Sequence, residues 1–311
     1  MRSLILIAVF VLVCGMVSMT IMHGQGPTTT GAATVEGQYI GLSSGPLRQA
    51  VLAALPPGTV LRSDTVVITA QQVQDVLKQA KPEMQSQLVK NQFYLLEQLA
   101  IQPLLIAEAR AWAAAQSRPI QGTESSLVQV YQRSLTEGIT VSDAEVRQYY
   151  DENKAMLGNA PFDAVKDELR NSVLDQKRQD AVRSHIACLS GHCRVEVDVS
   201  WTQTQAATAL DNPLDRARRA GIPTLVDFGR GGCQACNMMV PVLDSLTQEA
   251  AGRYAVLFIH VGETPILAAR YGIESIPVQV IFDKDGHEVF RHIGYIPKDQ
   301  LVTQLAKLGV R

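Results

Sequence analysis

The chain has 311 residues, which is enough for two domains of ordinary size. Its hydrophobic share of 46% and charged share of 19% are typical of a globular protein and exclude a disordered one. The net charge is −2 and no block of lysine and arginine occurs. This argues against nucleic acid as a partner, because proteins that bind it carry a basic face.

The first element along the chain is an uncharged apolar run over residues 4–22. About 20 apolar residues can cross a bilayer as a helix. We predict a signal anchor over residues 1–23, with a cleaved signal peptide as the alternative, because no good Ala-x-Ala cleavage site follows. Both predict export, either tethered on the periplasmic side of the bacterial inner membrane or soluble in the periplasm.

The next part of the chain is predicted to change from a linker to helices. Residues 24–60 begin rich in Gly, Thr and Ser and are predicted to form a flexible linker. Residues 61–200 are predicted to form an all-α domain, because apolar residues recur at intervals of three and four. Alternating valines over residues 194–201 predict a short strand at its end. Residues 201–214 are predicted to link it to the next domain.

Two capping-box patterns mark helix starts in the helical region. Thr69 with Gln72, and Ser142 with Glu145, have the spacing at which a hydroxyl and a side-chain carbonyl or carboxylate satisfy each other's backbone N–H groups. A long helix is predicted to follow from residue 162 to residue 189.

From Gly221 onward the pattern alternates between strands and helices, within a domain predicted over residues 215–311. The predicted order is β-α-β-α-β-β-α, in which Lys284-Asp285-Gly286 forms the turn of the final hairpin. This order predicts an α/β domain built on one sheet.

Four cysteines outside the apolar run form two close pairs. In an exported chain, such pairs readily become disulfides. Cys188 and Cys193 are predicted to form a structural disulfide, and the alternative is a relay that exchanges with Cys233. If the relay exists, replacing Cys188 and Cys193 with serine must slow turnover.

Cys233 and Cys236 follow a predicted strand and open a predicted helix. The positive end of a helix favours a thiolate, so Cys233 is the candidate nucleophile and Cys236 the candidate resolving cysteine. Asp227 lies within the strand before them without an obvious partner. We predict that it relays the proton that Cys236 must lose.

Other chemistries of a Cys-x-x-Cys pair need residues that are elsewhere or missing. Haem attachment needs histidine after the second cysteine, where Asn237 stands. Zinc needs two more ligands, which Cys188, His192 and Cys193 supply only if the two regions fold together. A purely structural disulfide remains the alternative to a redox pair. No metal and no cofactor are predicted.

Two segments, VDFGRGGCQACNMMVPVLDSL and YGIESIPVQVIFDKDGHEVFRHIG, resemble a thioredoxin-family domain over residues 215–311. The resemblance implies a thioredoxin-like α/β fold, with a central mixed sheet flanked by helices, after the all-α domain. It implies thiol–disulfide exchange by Cys233 and Cys236 and a buried acid at Asp227. It also implies a cis bond between Ile276 and Pro277, which puts backbone beside the sulfurs for pairing with a substrate strand.

The departures from the family pattern bear on redox direction. Gly232 replaces the usual tryptophan, Gln234 and Ala235 replace the usual Gly-Pro, and Phe258 replaces a lysine near the buried acid. The Cys-x-x-Cys-Asn-Met-Met run resembles exported reducing thioredoxins that take electrons from a membrane thiol transporter. The sequence therefore favours a reductase with such a donor.

Four segments within residues 61–200 are VVITAQQVQDVLKQ, LLIAEARA, VSDAEVRQYYDENK and FDAVKDELRNSVLDQKRQDAVRSHI. With them, this region resembles the helical chaperone part of exported parvulin-type prolyl isomerases. The isomerase domain of those proteins lies inside this region, but here only about 30 residues are available for it. The resemblance implies that the region holds disulfide-containing client proteins without isomerase activity. The alternative function is a chaperone or scaffold whose thioredoxin-like fold is mainly a binding module.

Overall fold

The computed structural model describes residues 32–117, 122–154 and 157–310. The predicted signal anchor or signal peptide over residues 1–23 lies outside these ranges. Among the helices of the described ranges, none is long and apolar enough to cross a bilayer.

The N-terminal region is largely helical, as expected. The helix over Gln92–Ala115 contributes more buried apolar residues to its core than any other helix. The helices are α1 (Val35–Gln38), α2 (Ala70–Gln79), α3 (Pro82–Lys90), α4 (Gln92–Ala115), α5 (Glu124–Thr136), α6 (Asp143–Asn153), α7 (Phe162–Ala187), α8 (Leu189–His192), α9 (Val199–Ala209) and α10 (Pro213–Arg218).

A small sheet in this region departs from the all-α expectation. Its strands are β1 (Val51–Ala53), β2 (Thr59–Arg62), β3 (Val67–Thr69) and β4 (Glu196–Asp198), in the order β1-β4-β2-β3. Strands β1, β2 and β3 have three or four residues, too short for a period of two to stand out in the sequence, whereas β4 lies within the strand predicted over residues 194–201.

The two predicted linkers contain regular structure. Within residues 24–60, α1 and β1 are followed by the start of β2, and α9 and α10 occupy most of residues 201–214. The predicted strand over 194–201 is shorter, because Asp198 caps α9 by accepting a hydrogen bond from the N–H of Trp201 at 2.8 Å. Pairing with distant strands therefore orders a segment whose composition alone is typical of a linker.

Both predicted capping boxes are confirmed. Thr69 and Gln72 exchange hydrogen bonds at the start of α2, and Ser142 and Glu145 do so at the start of α6. These reciprocal bonds satisfy N–H groups that the first turn of a helix leaves without intrahelical partners.

The C-terminal region is the α/β domain that the sequence predicts. The sheet has the order β6-β5-β7-β8, in which only the β5–β6 pair is parallel. Its elements are β5 (Thr224–Gly229), α11 (Gln234–Ala250), β6 (Ala255–His260), α12 (Pro265–Arg270), β7 (Val278–Phe282), β8 (Glu288–Ile293) and α13 (Lys298–Lys307).

Strand β5 forms the centre of this sheet. All six of its residues are buried, because apolar clusters cover both faces. The β7–β8 turn needs Gly286, which has φ of +83° and whose added Cβ would lie 2.8 Å from the carbonyl oxygen of Arg218. A buried central strand gives the loop after β5 a rigid base.

Helix α12 connects the two regions. The side chain of Gln87 on α3 donates to the carbonyl of Glu263 at 2.9 Å, and Arg270 donates to Asn91 at 3.1 Å. Ile266 belongs to the apolar core of the N-terminal region. The helical and α/β regions are therefore packed against each other.

Candidate redox site

The two cysteines of the Cys-x-x-Cys pair form a disulfide at the start of α11. Their Cα atoms are 5.2 Å apart. Cys233 is the N-cap of the helix, and its sulfur accepts a hydrogen bond from the N–H of Cys236 at 3.2 Å. The helix end therefore offers an N–H group and a partial positive charge to the Cys233 sulfur, as predicted from the sequence.

The two sulfurs differ in access to solvent. Cys233 is half-buried, whereas Cys236 is only 4% exposed. A client disulfide can approach the first cysteine, while the second stays behind it in the helix. This is the arrangement needed for a nucleophile and a resolving thiol.

Asp227 is fully buried in β5. One carboxylate oxygen accepts a hydrogen bond from the Gln279 side chain at 2.6 Å, and the other, Oδ2, has no hydrogen-bond partner in the described part of the chain. Burial raises the pKa of Asp227 to about 6, although the hydrogen bond from Gln279 opposes this. The carboxyl group can therefore take up and release a proton near neutral pH.

Asp227 lies beside the resolving cysteine. A Cβ added at Gly229 would be 3.4 Å from Asp227 Oδ2 and 3.5 Å from the Cβ of Cys236. The partnerless oxygen and the base of Cys236 thus border the same small space above Gly229. This position suits a proton relay to Cys236, which remains a prediction.

The sequence did not single out Gln279, the polar partner of Asp227. In the sheet, Asp227 lies directly opposite Gln279 on β7 and opposite Phe258 on β6. The signal in the sequence was a glutamine within an apolar strand, a residue that is costly to bury without a partner.

The segment before β7 lies next to the end of β5. The peptide bond between Ile276 and Pro277 is cis, as the resemblance implied. Phe228 pairs with Val278, so Pro277 follows in register opposite Gly229, where the chain leaves β5 for the cysteine loop. Ile276 is half-buried, and its role in binding a substrate strand remains a prediction.

The glycine before the first cysteine has a structural reason. Gly232 has φ of +80°, a conformation that residues with a side chain rarely adopt. A Cβ there would meet no atom within 4 Å. The surface beside Cys233 is therefore left uncovered.

The predicted disulfide between Cys188 and Cys193 is not formed in the structure. These residues flank the two ends of α8, and five positions along a helix turn two side chains about 140° apart. Burial and the charge of Glu108 raise the pKa of Cys193 to about 11, which disfavours the thiolate that a relay needs.

Asp227→Asn is expected to stabilise the fold at pH 7.5 by about 2 kcal/mol and to slow resolution by Cys236. Because the pKa of Asp227 is raised in the folded state, the folded protein binds this proton more tightly than the unfolded chain does. The stabilisation that comes from the bound proton is complete below about pH 4 and is lost as pH rises through about 6. Urea unfolding between pH 4.5 and 7.5 measures this effect.

The informative quantity is the difference between wild type and variant, because Glu97 also has a pKa raised by burial, to about 7. Asp244→Asn is the matched control, since it removes the same charge from an exposed position on α11. If both variants change the free energy of unfolding equally at every pH, the buried acid is not the cause.

Comparison with known proteins gives consistent similarities over the C-terminal third. A family model described as a thioredoxin-like domain matches residues 210–309. Thioredoxin from Alicyclobacillus acidocaldarius is 39% identical over 99 residues, which cover 32% of this chain and 93% of the relative. Thioredoxin from Synechocystis sp. is 40% identical over 105 residues, 34% of this chain and 94% of the relative.

A solved structure of a mutant thioredoxin from Halobacterium salinarum NRC-1 is 30% identical. The match covers 32% of this chain and 84% of that chain, with a TM-score of 0.29. The sequence similarities, together with the cysteine pair, support a thiol–disulfide oxidoreductase kind of activity in this region.

Proposed function

Because the chain belongs to the thioredoxin family through residues 210–309, we propose that it is an exported reductase of protein disulfides. The observation that carries the proposal is the asymmetric pair at the start of α11, with an accessible Cys233 and a buried Cys236. Such a pair can attack an external disulfide and then resolve the product internally.

In the proposed cycle, the Cys233 thiolate attacks one sulfur of a client disulfide, and the other client sulfur leaves as a thiolate that takes a proton from solvent. Cys236 then loses its proton to Asp227 and attacks the Cys233 sulfur. The second client thiol is released, and the Cys233–Cys236 disulfide remains. Two electrons from an external thiol donor restore the pair, and a membrane thiol transporter is the proposed donor.

We propose that the helical region holds the client near this pair. A groove of about 800 Å³ lies between the helical region and the segment before β7. Its apolar wall includes Ile101, Val182, Ile186 and Ile273. Ile273 is three residues before Ile276, so a client chain in the groove would have a short path to the redox site. The groove is the observation that supports client holding by this region.

The proposed location is the periplasmic side of the inner membrane. It rests on the uncharged apolar residues 4–22 and on the resemblance to exported reducing thioredoxins. A chaperone or scaffold is the alternative function, and the intact cysteine pair favours the enzyme because binding alone requires neither sulfur.

The reduction potential of the Cys233–Cys236 pair tests the proposed direction. We expect a reduction potential of about −270 mV, as in reducing thioredoxins. This is well below the value of about −120 mV that is typical of strong oxidants. Equilibration of the full chain with glutathione buffers, followed by thiol alkylation and mass measurement, gives this value. A potential near the oxidising value would contradict a reductase, and Cys233→Ser supplies the redox-inactive baseline.

A further inference from the structure

A cluster of metal-binding side chain types lies in the helical region, on elements separate from the redox pair. Glu108 on α4 faces the ring nitrogens of two histidines. Its Oε2 is 2.7 Å from Nε2 of His185, near the end of α7, and its Oε1 is 3.0 Å from Nδ1 of His192, at the end of α8. Three helices thus bring one carboxylate and two imidazoles together.

The donor atoms already have a spacing close to that of a metal site. One ligand atom from each residue lies within 4.8 Å of the other two. In a tetrahedral zinc site with Zn–N distances of about 2.0–2.1 Å, ligand atoms are about 3.3–3.4 Å apart. Small side-chain rotations would therefore bring the three atoms onto one ion.

The cluster is partly shielded from solvent. Glu108 and His185 are each 16% exposed, and His192, which is 46% exposed, leaves one side accessible. Within the described part of the chain, the ion-pair partners of Glu108 are these two histidines. A divalent cation would place a fixed positive charge against the Glu108 carboxylate.

Neighbouring side chains hold the ligands in place. The hydroxyl of Tyr131 is 3.1 Å from Nε2 of His185, and the two rings meet edge to face with centroids 5.7 Å apart. The rings of His185 and His192 lie 5.0 Å apart. Packing between these rings restricts the orientation of both imidazoles, while the Tyr131 hydroxyl lies at the nitrogen that also faces Glu108 and gives up this contact when the nitrogen binds the ion.

We propose that Glu108, His185 and His192 bind one zinc ion, with the carboxylate and two imidazole nitrogens as ligands. Imidazole ligands favour zinc and related transition metals over magnesium and calcium. Two histidines and one glutamate leave a fourth position for water, a ligand set that occurs in zinc proteins. The coordinating nitrogen of each ring must be free of a proton, so a proton on it moves to the other ring nitrogen or to solvent when the ion binds.

The site has a structural consequence for the end of α7. The ion would fasten α8 to α4 through His192 and Glu108. The chain between His185 and His192 includes Cys188, so the ion would hold this segment in the conformation that keeps Cys188 and Cys193 at opposite ends of α8.

Calorimetric titration of zinc into the metal-free full chain tests the proposal. The Cys233–Cys236 pair is kept oxidised, so its sulfurs cannot bind the ion and the result does not depend on reductase activity. We expect one zinc ion per chain and a loss of affinity of at least about 100-fold in Glu108→Gln and in His192→Asn. His287→Asn, at the exposed β7–β8 turn, should bind as wild type does.

Absence of binding by the wild type, or equal affinity in wild type, Glu108→Gln and His192→Asn, would overturn the proposal. Circular dichroism checks that each variant is folded. If Glu108→Gln is not folded, His192→Asn alone decides the test, because His192 lies at an exposed position. Cobalt gives a second readout, because the visible spectrum of a tetrahedral cobalt complex should be present in the wild type and lost in His192→Asn.

Discussion

Cys233→Ser is expected to lower the rate of insulin disulfide reduction by at least about 100-fold, to the level of the uncatalysed reaction. The hydroxyl of serine is not ionised at neutral pH and cannot replace the thiolate. Cys236 cannot take over the attack, because it is only 4% exposed. Turbidity from precipitated insulin chains, with dithiothreitol as the electron source, measures the rate.

Cys236→Ser separates the two steps of the same reaction. This variant keeps the accessible Cys233 and lacks the resolving thiol, so it should accumulate a mixed disulfide with insulin that dithiothreitol releases. The matched control replaces Cys188 and Cys193 with serine and should keep full turnover if no relay exists. Equal background rates for wild type and Cys233→Ser would contradict the proposed reductase activity. They would favour the alternative function, in which the thioredoxin-like fold is mainly a binding module.

Asp215→Ala is expected to lower the free energy of unfolding by about 3–5 kcal/mol. Asp215 is 1% exposed and accepts hydrogen bonds from Arg270, Tyr271 and Asn212. It also faces the guanidinium of Arg218 at 3.9 Å. Its removal leaves two buried cations without their common anion, and they repel each other.

Urea unfolding of the wild type and the variant at the same pH measures this loss. Asp211→Ala is the matched control, because Asp211 makes an exposed ion pair with Arg216 at 2.6 Å, worth at most about 1 kcal/mol. Similar losses in both variants would show that burial does not determine how much the Asp215 cluster contributes to the free energy of unfolding. The same cluster joins α10 to α12, so the Asp215→Ala variant should also lose protection from proteolysis at α12.

The α/β region could be predicted because its patterns are local and strong. Strand β5 is a short, mostly apolar segment, and β7 and β8 are joined by a turn signal that includes Gly286. Only β4 of the small sheet was predicted in this way, from the alternating valines of residues 194–201, and its pairing with the other three strands was not. Strand β1 pairs in parallel with β4, and this partner is more than a hundred residues further along the chain. Such short strands are specified by tertiary contacts, not by periodicity.

For the site, the sequence predicted the residues whose chemistry is unusual for their position. Cys233, Cys236 and Asp227 met this condition, and the structure places them around the start of α11 and the end of β5. Gln279 was missed because its role depends on the strand register, which the sequence does not reveal. The Cys188–Cys193 disulfide was predicted from close spacing and predicted export, and the orientation imposed by α8 separates the two side chains.

The path of the chain through the small sheet has an architectural consequence. The chain leaves the sheet after Thr69 and returns at Glu196, on strands that are two strand spacings apart, about 10 Å. Residues 70–195 are therefore an insertion between two strands of one sheet, and the two ends of the insertion lie close together. Insertions with this geometry can be exchanged between proteins as whole modules. A replacement module that keeps the contacts of Gln87 and Arg183 with the α/β region would change the surface of the helical region and leave the elements around Cys233 and Cys236 in place.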